Sequence, residues 1–579
     1  MRSTQEWTIY RRKGADDCLV GVVYPAAYTV GMSNLGFQWV LRRLDDIPGF
    51  FGERFFYTPR AAAPRSLEGR RHPGDCHILA FSVSFETDYL AVLQFLAAAG
   101  LPLETARRDR RHPLVVAGGA ALQVNPEPLA PFVDLVVAGE AETAWVELLA
   151  AYRDSMDRRE MLVRLAGRPG FYIPSWWDIQ YGDDGAIVRQ ERTAAAPSNA
   201  EPVVRLPVLT AADLAALEPP FTNVLSTGTE FARSLLVEVA RGCPTGCRYC
   251  WAGYRYRPVR HFTESRILEI ADAARDHTDK IGLVSTAVGL YPDLAGLMAA
   301  LRGRGYRIGL SSLRLADLSP ELLQALADGG EDTVTLAPET GRDSTRARLN
   351  KPFTNEQVLD GCRMARAAGI RRVRLYFMAG LPGEEPGEAE AAAELAEAAG
   401  RALAGRAGDG RLPVTVSLSP FVPKPNTPFQ YAAMHPLPEL RATLRRYAAA
   451  IHRRGVDAQI GSARDAHLQW RLATGSRVTG KLLQAVVEGR AEPADLIDER
   501  SPFTARPFIA APDRRPPWAV TTWGLSEDCL AEEWRRFLSG DLTPPCSGLP
   551  DCIRCGICEN PDPSCGDSPR RPADPEPTR

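Results

Sequence analysis

"RGCPTGCRYC", residues 241–250, places Cys243, Cys247 and Cys250 in a Cys-x3-Cys-x2-Cys pattern with nothing around it that reads as a disulfide scaffold. The stretch follows "SLLVEVA", an apolar run that reads as a strand, so the cysteines sit on the loop beyond a strand end. A structural zinc site needs four ligands, and His261 is the local candidate for the fourth. An iron–sulfur cluster held by three cysteines follows another logic, because one iron stays open to a substrate or cofactor.

At 579 residues the chain is too long for one hydrophobic core and should divide into several domains. A formal net charge of −2 gives no global pull toward nucleic acid or an anionic membrane. Five of the 69 basic residues are lysine, so arginine clusters reflect composition more than nucleic-acid binding. "MRSTQEWTIYRRKGADD" has no apolar core of a secretory signal, and the uncharged run 89–103 falls short of a membrane span. A cytoplasmic protein is expected, without a membrane partner. In that compartment thiols stay reduced, and clustered cysteines point to metal or redox chemistry.

Outward from the cysteines, strands alternate with helices on both sides. Upstream, strands are read at 18–25, 77–85 and 112–119, with a strand running into a helix at 133–152 and helices at 30–47 and 88–99. This predicts an open, Rossmann-like parallel sheet over 1–160. Prolines rise over 161–230, a connecting segment. Six further strands are read at 234–243, 280–287, 307–313, 332–339, 371–380 and 413–423. They predict a partial (β/α)6 barrel over 231–432, with its chemistry on the loops after the strands. A mostly helical region over 433–540, a Cys-rich tail over 541–565 and a disordered tail over 566–579 complete an α/β chain.

Cys-x3-Cys-x-aromatic-Cys, with Tyr249 as the aromatic, resembles the signature of the radical S-adenosylmethionine (SAM) superfamily. The resemblance implies that Cys243, Cys247 and Cys250 hold a 4Fe–4S cluster whose open iron chelates SAM. Reductive cleavage then gives a 5′-deoxyadenosyl radical, with the electron supplied by an external donor of flavodoxin or ferredoxin type. It places Tyr249 near the adenine, its alternative being a core aromatic. In "STAVGLYPD" (285–293) the family's Gly-Gly-Glu is missing, and Ser285 and Thr286 are the substitutes for receiving the SAM amino group. "APETG" (337–341) points to Glu339 for the ribose hydroxyls, since a carboxylate can accept from both alcohols of a diol. Its bland reading is a helix N-terminal residue. In "STRARLNKPFT" (344–354) Lys351 holds the place of a basic active-site residue, and Arg348 is the alternative partner for the SAM carboxylate. "AGLPGE" (379–384), with Gly380 and Gly383, fits the glycine motif that supports adenine.

A Rossmann-like domain ahead of such a barrel is similar to the cobalamin-binding class of the superfamily. The resemblance lays "HPLVVAGGAALQVNPEPLAPFVDLVVAGEAE" (112–142) along the corrinoid face or nucleotide tail. No histidine precedes His72, so the first βα turn offers no imidazole for cobalt. "FVPKPNTPFQ" (421–430) is similar to the barrel end of methylthiotransferases. In the tail, Cys546, Cys552, Cys555 and Cys558 make a four-thiolate spacing suited to zinc or a second cluster. Cys18, Cys76, Cys362 and Cys529 read as small core residues. The expectation is a radical SAM enzyme that modifies an unactivated carbon, by methyl or methylthio transfer, of an RNA, protein or other substrate. The rival is an iron–sulfur or zinc factor that binds RNA or protein without radical turnover.

Overall fold

The computed structural model describes residues 4–10, 12, 14, 17–59, 63–310, 313–405, 412–497, 509–510, 514–546 and 555–557. The first five strands of the N-terminal sheet are parallel, and the chain crosses over so that the second strand lies outside the first. The order is Phe50–Phe56, Cys18–Tyr24, Ile78–Ser82, Leu114–Gly118, Leu135–Val137, with Phe171–Tyr172 antiparallel at the edge. This is the doubly wound order 2-1-3-4-5, whose switch point lies between the first and third strands. "CLVGVVY" is buried at all seven positions, as expected of a strand covered on both faces.

The sequence reading missed the strand Phe50–Phe56, because "FFGERFF" carries two charges in its middle. Both are buried and paired. Arg54 meets Glu6 and Glu68 at 2.7 and 2.6 Å, and Arg71 reaches Glu53 at 3.0 Å. Residues expected as a plain connector contain an antiparallel hairpin, Trp177–Tyr181 with Ile187–Arg192. Trp176, Trp177, Ile179 and Ile187 join the core of the N-terminal sheet.

All six expected strands of the second unit are present: Leu235–Glu238, Lys280–Val284, Arg307–Leu310, Thr333–Glu339, Arg372–Ala379 and Val414–Pro420. Among the described residues they form two parallel sheets, the first three strands in one and the last three in the other. A seventh strand, Asp457–Ile460, adds in parallel to Val414–Pro420 after the helix Leu437–Arg453. The boundary expected at 432 therefore falls inside a β-α-β unit. That strand is short and has no buried position, which leaves no apolar pattern to read.

The C-terminal helices Ala463–Ala473 and Arg477–Val487 turn back to the N-terminal sheet, where Leu472, Leu482 and Leu483 enter its core. Asn125, in the Asn-Pro-Glu-Pro segment, donates to the Ala473 and Gly475 carbonyls. The fully buried Glu127 accepts from Tyr172, Tyr181 and Arg477. The last helix, Glu527–Ser539, returns to the barrel. Among the described residues, no helix is long and apolar enough to cross a membrane.

Candidate active site at the cysteine loop

The first barrel strand ends at Glu238, and Ala240–Arg241 then pairs antiparallel with Arg260–His261. That pairing closes residues 242–259 into a loop carrying the three cysteines. Gly242, at φ 96°, opens it, and a Cβ there would lie 2.3 Å from the Tyr256 carbonyl oxygen, so no other residue fits. Cys250 donates its N–H to the Cys247 carbonyl and begins the short helix Trp251–Arg255. Asn350 donates to the Thr245 and Gly246 carbonyls at 3.0 and 3.3 Å, and Arg248 N–H donates to the Leu349 carbonyl. The loop is thus pinned onto the segment after the fourth barrel strand.

That strand delivers Glu339. The pairing register shifts between Leu336 and Glu339, and Glu339 takes φ 66°, a left-handed conformation uncommon for a residue with a side chain. Its Oε1 accepts from Tyr249 Oη at 2.8 Å and from Lys351 Nζ at 2.7 Å. Lys351 also donates to the Ala337 carbonyl at 2.7 Å. Three residues singled out in separate motifs therefore meet beside the cysteines.

Burial pushes the Cys247 thiol up to about 12, against the opposing pull of Lys351 and with help from Cys250, Cys243 and Glu339. Burial also raises Cys250. Desolvation works against the Lys351 charge, but Glu339 and the Cys247 thiol outweigh it, and the ammonium is held above its ordinary range. None of the three cysteines is in a disulfide. Cys243 approaches Thr245 Oγ1 at 3.5 Å, and Arg314 donates to that same hydroxyl at 3.0 Å. Among the described residues, no three His, Cys, Asp or Glu side chains gather closely enough to share one metal ion.

The remaining expected contacts are less concentrated. Ser285 Oγ accepts from Ala287 N–H, and Thr286 Oγ1 donates to the Gly242 carbonyl, so these hydroxyls shape the strand end and the loop entry. Arg348 is not brought to Glu339. Its Nε donates to the Phe537 carbonyl, its guanidinium stacks 4.8 Å from the Phe537 ring, and it approaches Gly383. Gly380 is left-handed at φ 82° and donates to Glu384 Oε2 at 2.6 Å. Arg314, missed in the sequence, had one legible signal: it is a basic residue just beyond a barrel strand.

Two charged clamps flanking the cysteines were also missed. Arg241 reaches Glu140, Glu142 and Glu238, and Arg260 reaches Glu140 at 2.8 Å and donates to the Leu209 carbonyl. Arg248, fully buried, pairs with Glu533 at 3.2 Å and donates to Thr543 and to the Arg348 and Asp541 carbonyls. These contacts fill part of the region the cobalamin resemblance assigned to a ligand. Glu140 faces the barrel arginines, and a Cβ on Gly139 would lie 2.6 Å from Pro207. A Cβ on Gly119 would lie 2.3 Å from the Val83 carbonyl oxygen. The loop glycines serve close packing within the chain. Of the tail cysteines, Cys546 is half-buried and Cys555 buried, while Cys552 and Cys558 lie outside the described residues.

A cysteine loop after the first strand of a parallel α/β unit, with polar side chains gathered at the strand ends, defines a cofactor-dependent enzyme of the radical SAM type. Two family descriptions match the chain: radical SAM proteins, N-terminal, over residues 36–174, and the radical SAM superfamily over residues 237–396. The chain belongs to the radical SAM superfamily, whose general chemistry is SAM cleavage at a 4Fe–4S cluster fed by an external electron donor. It is 23% identical over 413 residues to the uncharacterized protein MJ0966 of Methanocaldococcus jannaschii, covering 71% of this chain and 79% of that protein. A tRNA-2-methylthio-N(6)-dimethylallyladenosine synthase of Pelobacter propionicus is 28% identical over 182 residues, which span 28% of this chain and 40% of the synthase. Among solved structures, the cobalamin-dependent SAM radical enzyme OxsB with aqua-cobalamin aligns with a TM-score of 0.46 at 14% identity, over 66% of this chain and 52% of that one.

Proposed function

We propose that Cys243, Cys247 and Cys250 hold the superfamily's 4Fe–4S cluster and that the enzyme modifies an unactivated carbon by methyl or methylthio transfer. The observation that carries the site assignment is the meeting of Tyr249, Glu339 and Lys351 beside three half-buried cysteines that lack a disulfide. When bound, the cluster and SAM supply the electron transfer and the 5′-deoxyadenosyl radical. The chain's own residues bind and orient. Glu339 Oε1 is taken by Tyr249 and Lys351, while no hydrogen bond reaches its Oε2 among the described residues, which leaves that oxygen to accept from the ribose diol. Lys351, rather than Arg348, is the cation at the site, placed to offset carboxylate and thiolate charge. Burial of this group excludes water from a reactive radical.

The methyl or methylthio outcome draws on the methylthiotransferase relatives, of which the chain spans well under half the length. For the N-terminal sheet, residues 112–142 do not form an open cradle, and the switch-point crevice beyond Tyr24 and Ser82 is the place left for cobalamin. The first βα turn contributes no histidine there. The tail cysteines Cys546, Cys552, Cys555 and Cys558 form a second metal centre with a structural or electron-relay role, closed to SAM.

Anaerobic reconstitution with iron and sulfide, followed by SAM and dithionite, tests the reading through formation of 5′-deoxyadenosine. A reconstituted cluster that yields none would move the protein to the non-radical binding class.

A further inference from the structure

Arg346 carries no motif signal in the sequence, yet its side chain is completely buried beside the site. It lies in the short helix Asp343–Arg348, between the segment that carries Glu339 and the one that carries Lys351. Its hydrogen bonds use every N–H donor of a guanidinium. Nε donates to the Pro338 carbonyl at 2.9 Å, and Nη1 to Asp343 Oδ1 and the Phe353 carbonyl at 2.8 Å each. Nη2 donates to the Thr340 carbonyl at 2.8 Å and to Asn355 Oδ1 at 2.7 Å. Asp343 balances the charge; the backbone carbonyls are what give the group a direction.

Two of those carbonyls flank Glu339. Thr340 N–H also donates to the Pro338 carbonyl at 2.8 Å, which closes a three-residue turn around Glu339. With φ at 66°, this is the γ-turn of positive φ, a rare and strained form. Strain of that kind persists only where the surroundings over-determine it. Released, the Glu339 backbone would return to extended geometry, and its carboxylate would leave Tyr249 and Lys351. The Phe353 carbonyl belongs to the turn that presents Lys351. There Lys351 N–H donates to the Arg346 carbonyl at 3.1 Å, and Phe353 N–H to the Lys351 carbonyl at 2.9 Å. The guanidinium also lies 4.9 Å from the Phe353 ring centroid. One planar group thus brackets both members of the Glu339–Lys351 pair.

We infer that Arg346 is a positioning residue: its fork holds the strained turn at Glu339 and sets Lys351 against it, which presents Glu339 Oε2 to SAM. The inference rests on the reading of Glu339 as the ribose acceptor and adds the device that aims it. Charge alone does not do this. A lysine would keep the charge on a flexible stem but lose the planar fork that reaches both flanking carbonyls.

The test uses the full-length chain, reconstituted anaerobically with iron and sulfide, and reads SAM affinity by isothermal titration, normalised to iron content. The proteins compared are wild type, Arg346→Lys, Glu339→Ala and the double variant. Arg346→Lys should weaken SAM binding about tenfold when Glu339 is present and add almost nothing in the Glu339→Ala background. An arginine with a merely structural role would cost the same factor in both backgrounds. That additivity would overturn the inference and leave the ribose reading in place. So would unchanged affinity in Arg346→Lys beside a weakened Glu339→Ala. Unchanged affinity in Glu339→Ala would overturn the ribose reading, and the inference with it. Should Arg346→Lys fold poorly, Asn355→Ala enters the same cycle, since it removes one acceptor from the guanidinium and one donor from the Gly341 carbonyl. A smaller loss is expected with Glu339 and none without it. Equal loss in both backgrounds, or none in either, would refute the positioning role.

Discussion

Replacing Glu140 by Gln should unlock the cysteine loop from the N-terminal sheet. Glu140 bridges Arg241 and Arg260 at 2.8 Å each, and all three side chains are shielded, with Glu140 itself 2% exposed. Removing one member of a buried ion pair costs about 3–5 kcal/mol, because the partner charge stays in place without compensation. Here the lower end applies. Arg241 keeps Glu142 and Glu238, and Arg260 keeps the Leu209 and Pro258 carbonyls. We expect a loss of about 3 kcal/mol, a large part of the ~5–15 kcal/mol that stabilises a typical fold.

The loss should depend on pH in one direction. Burial raises the Glu140 carboxyl, but Arg260 and Arg241 more than reverse it, and the group is held below its ordinary range. A depressed carboxylate contributes stability that is complete above its unfolded value of about 4.3 and is lost as pH falls through the folded value. The gap between wild type and Glu140→Gln should therefore be constant from pH 8 to about 5 and close below about 4. Urea unfolding of both proteins at several pH values measures it. A gap under about 1 kcal/mol at pH 7, or one that widens in acid, would refute the account of a charged interdomain lock.

Ala at Cys243, Cys247 and Cys250 together should abolish formation of 5′-deoxyadenosine from SAM and dithionite; unchanged cleavage would remove these cysteines from the site. Glu339→Ala should weaken SAM binding by about 10- to 100-fold, the worth of one or two hydrogen bonds to a charged group, as read by isothermal titration. Equal affinity would show that the ribose binds elsewhere. Protein purified in hydroxocobalamin should take up corrinoid without an imidazole from the first βα turn, and one that stays colourless above the iron–sulfur background would make the N-terminal sheet a scaffold alone.

The parts of this architecture that were legible in the sequence share a physical cause. Strands buried on both faces, such as Cys18–Tyr24, read as unbroken apolar runs, and the cysteine spacing is local by construction. What escaped depended on partners far along the chain. Phe50–Phe56 hides two charges that only Glu6, Glu68 and Arg71 make tolerable. Arg348 and Lys351 lie three residues apart and looked equivalent. The backbone turns one toward Glu339 and the other onto Phe537, 189 positions away.

The same long-range contacts explain how a loop of this length can hold reactive groups in register. Arg241 lies two residues before Cys243, and Arg248 directly follows Cys247. The first is gripped by Glu140 and Glu142 at the start of the helix after the fifth strand of the N-terminal sheet, the second by Glu533, Thr543 and the Asp541 carbonyl of the C-terminal segment. Each anchor is an arginine, Arg248 buried and Arg241 half-buried, whose planar fork fixes direction as well as distance. Loosening either one need not remove a cysteine to disturb the site, because the thiols inherit their positions from the backbone between the clamps. The two outlying regions thus act on the barrel through charge as well as packing. Variants at Glu140 or Glu533 should accordingly lower cluster occupancy even though neither residue touches a thiol, whereas surface pairs such as Arg266–Glu269 should leave it unchanged.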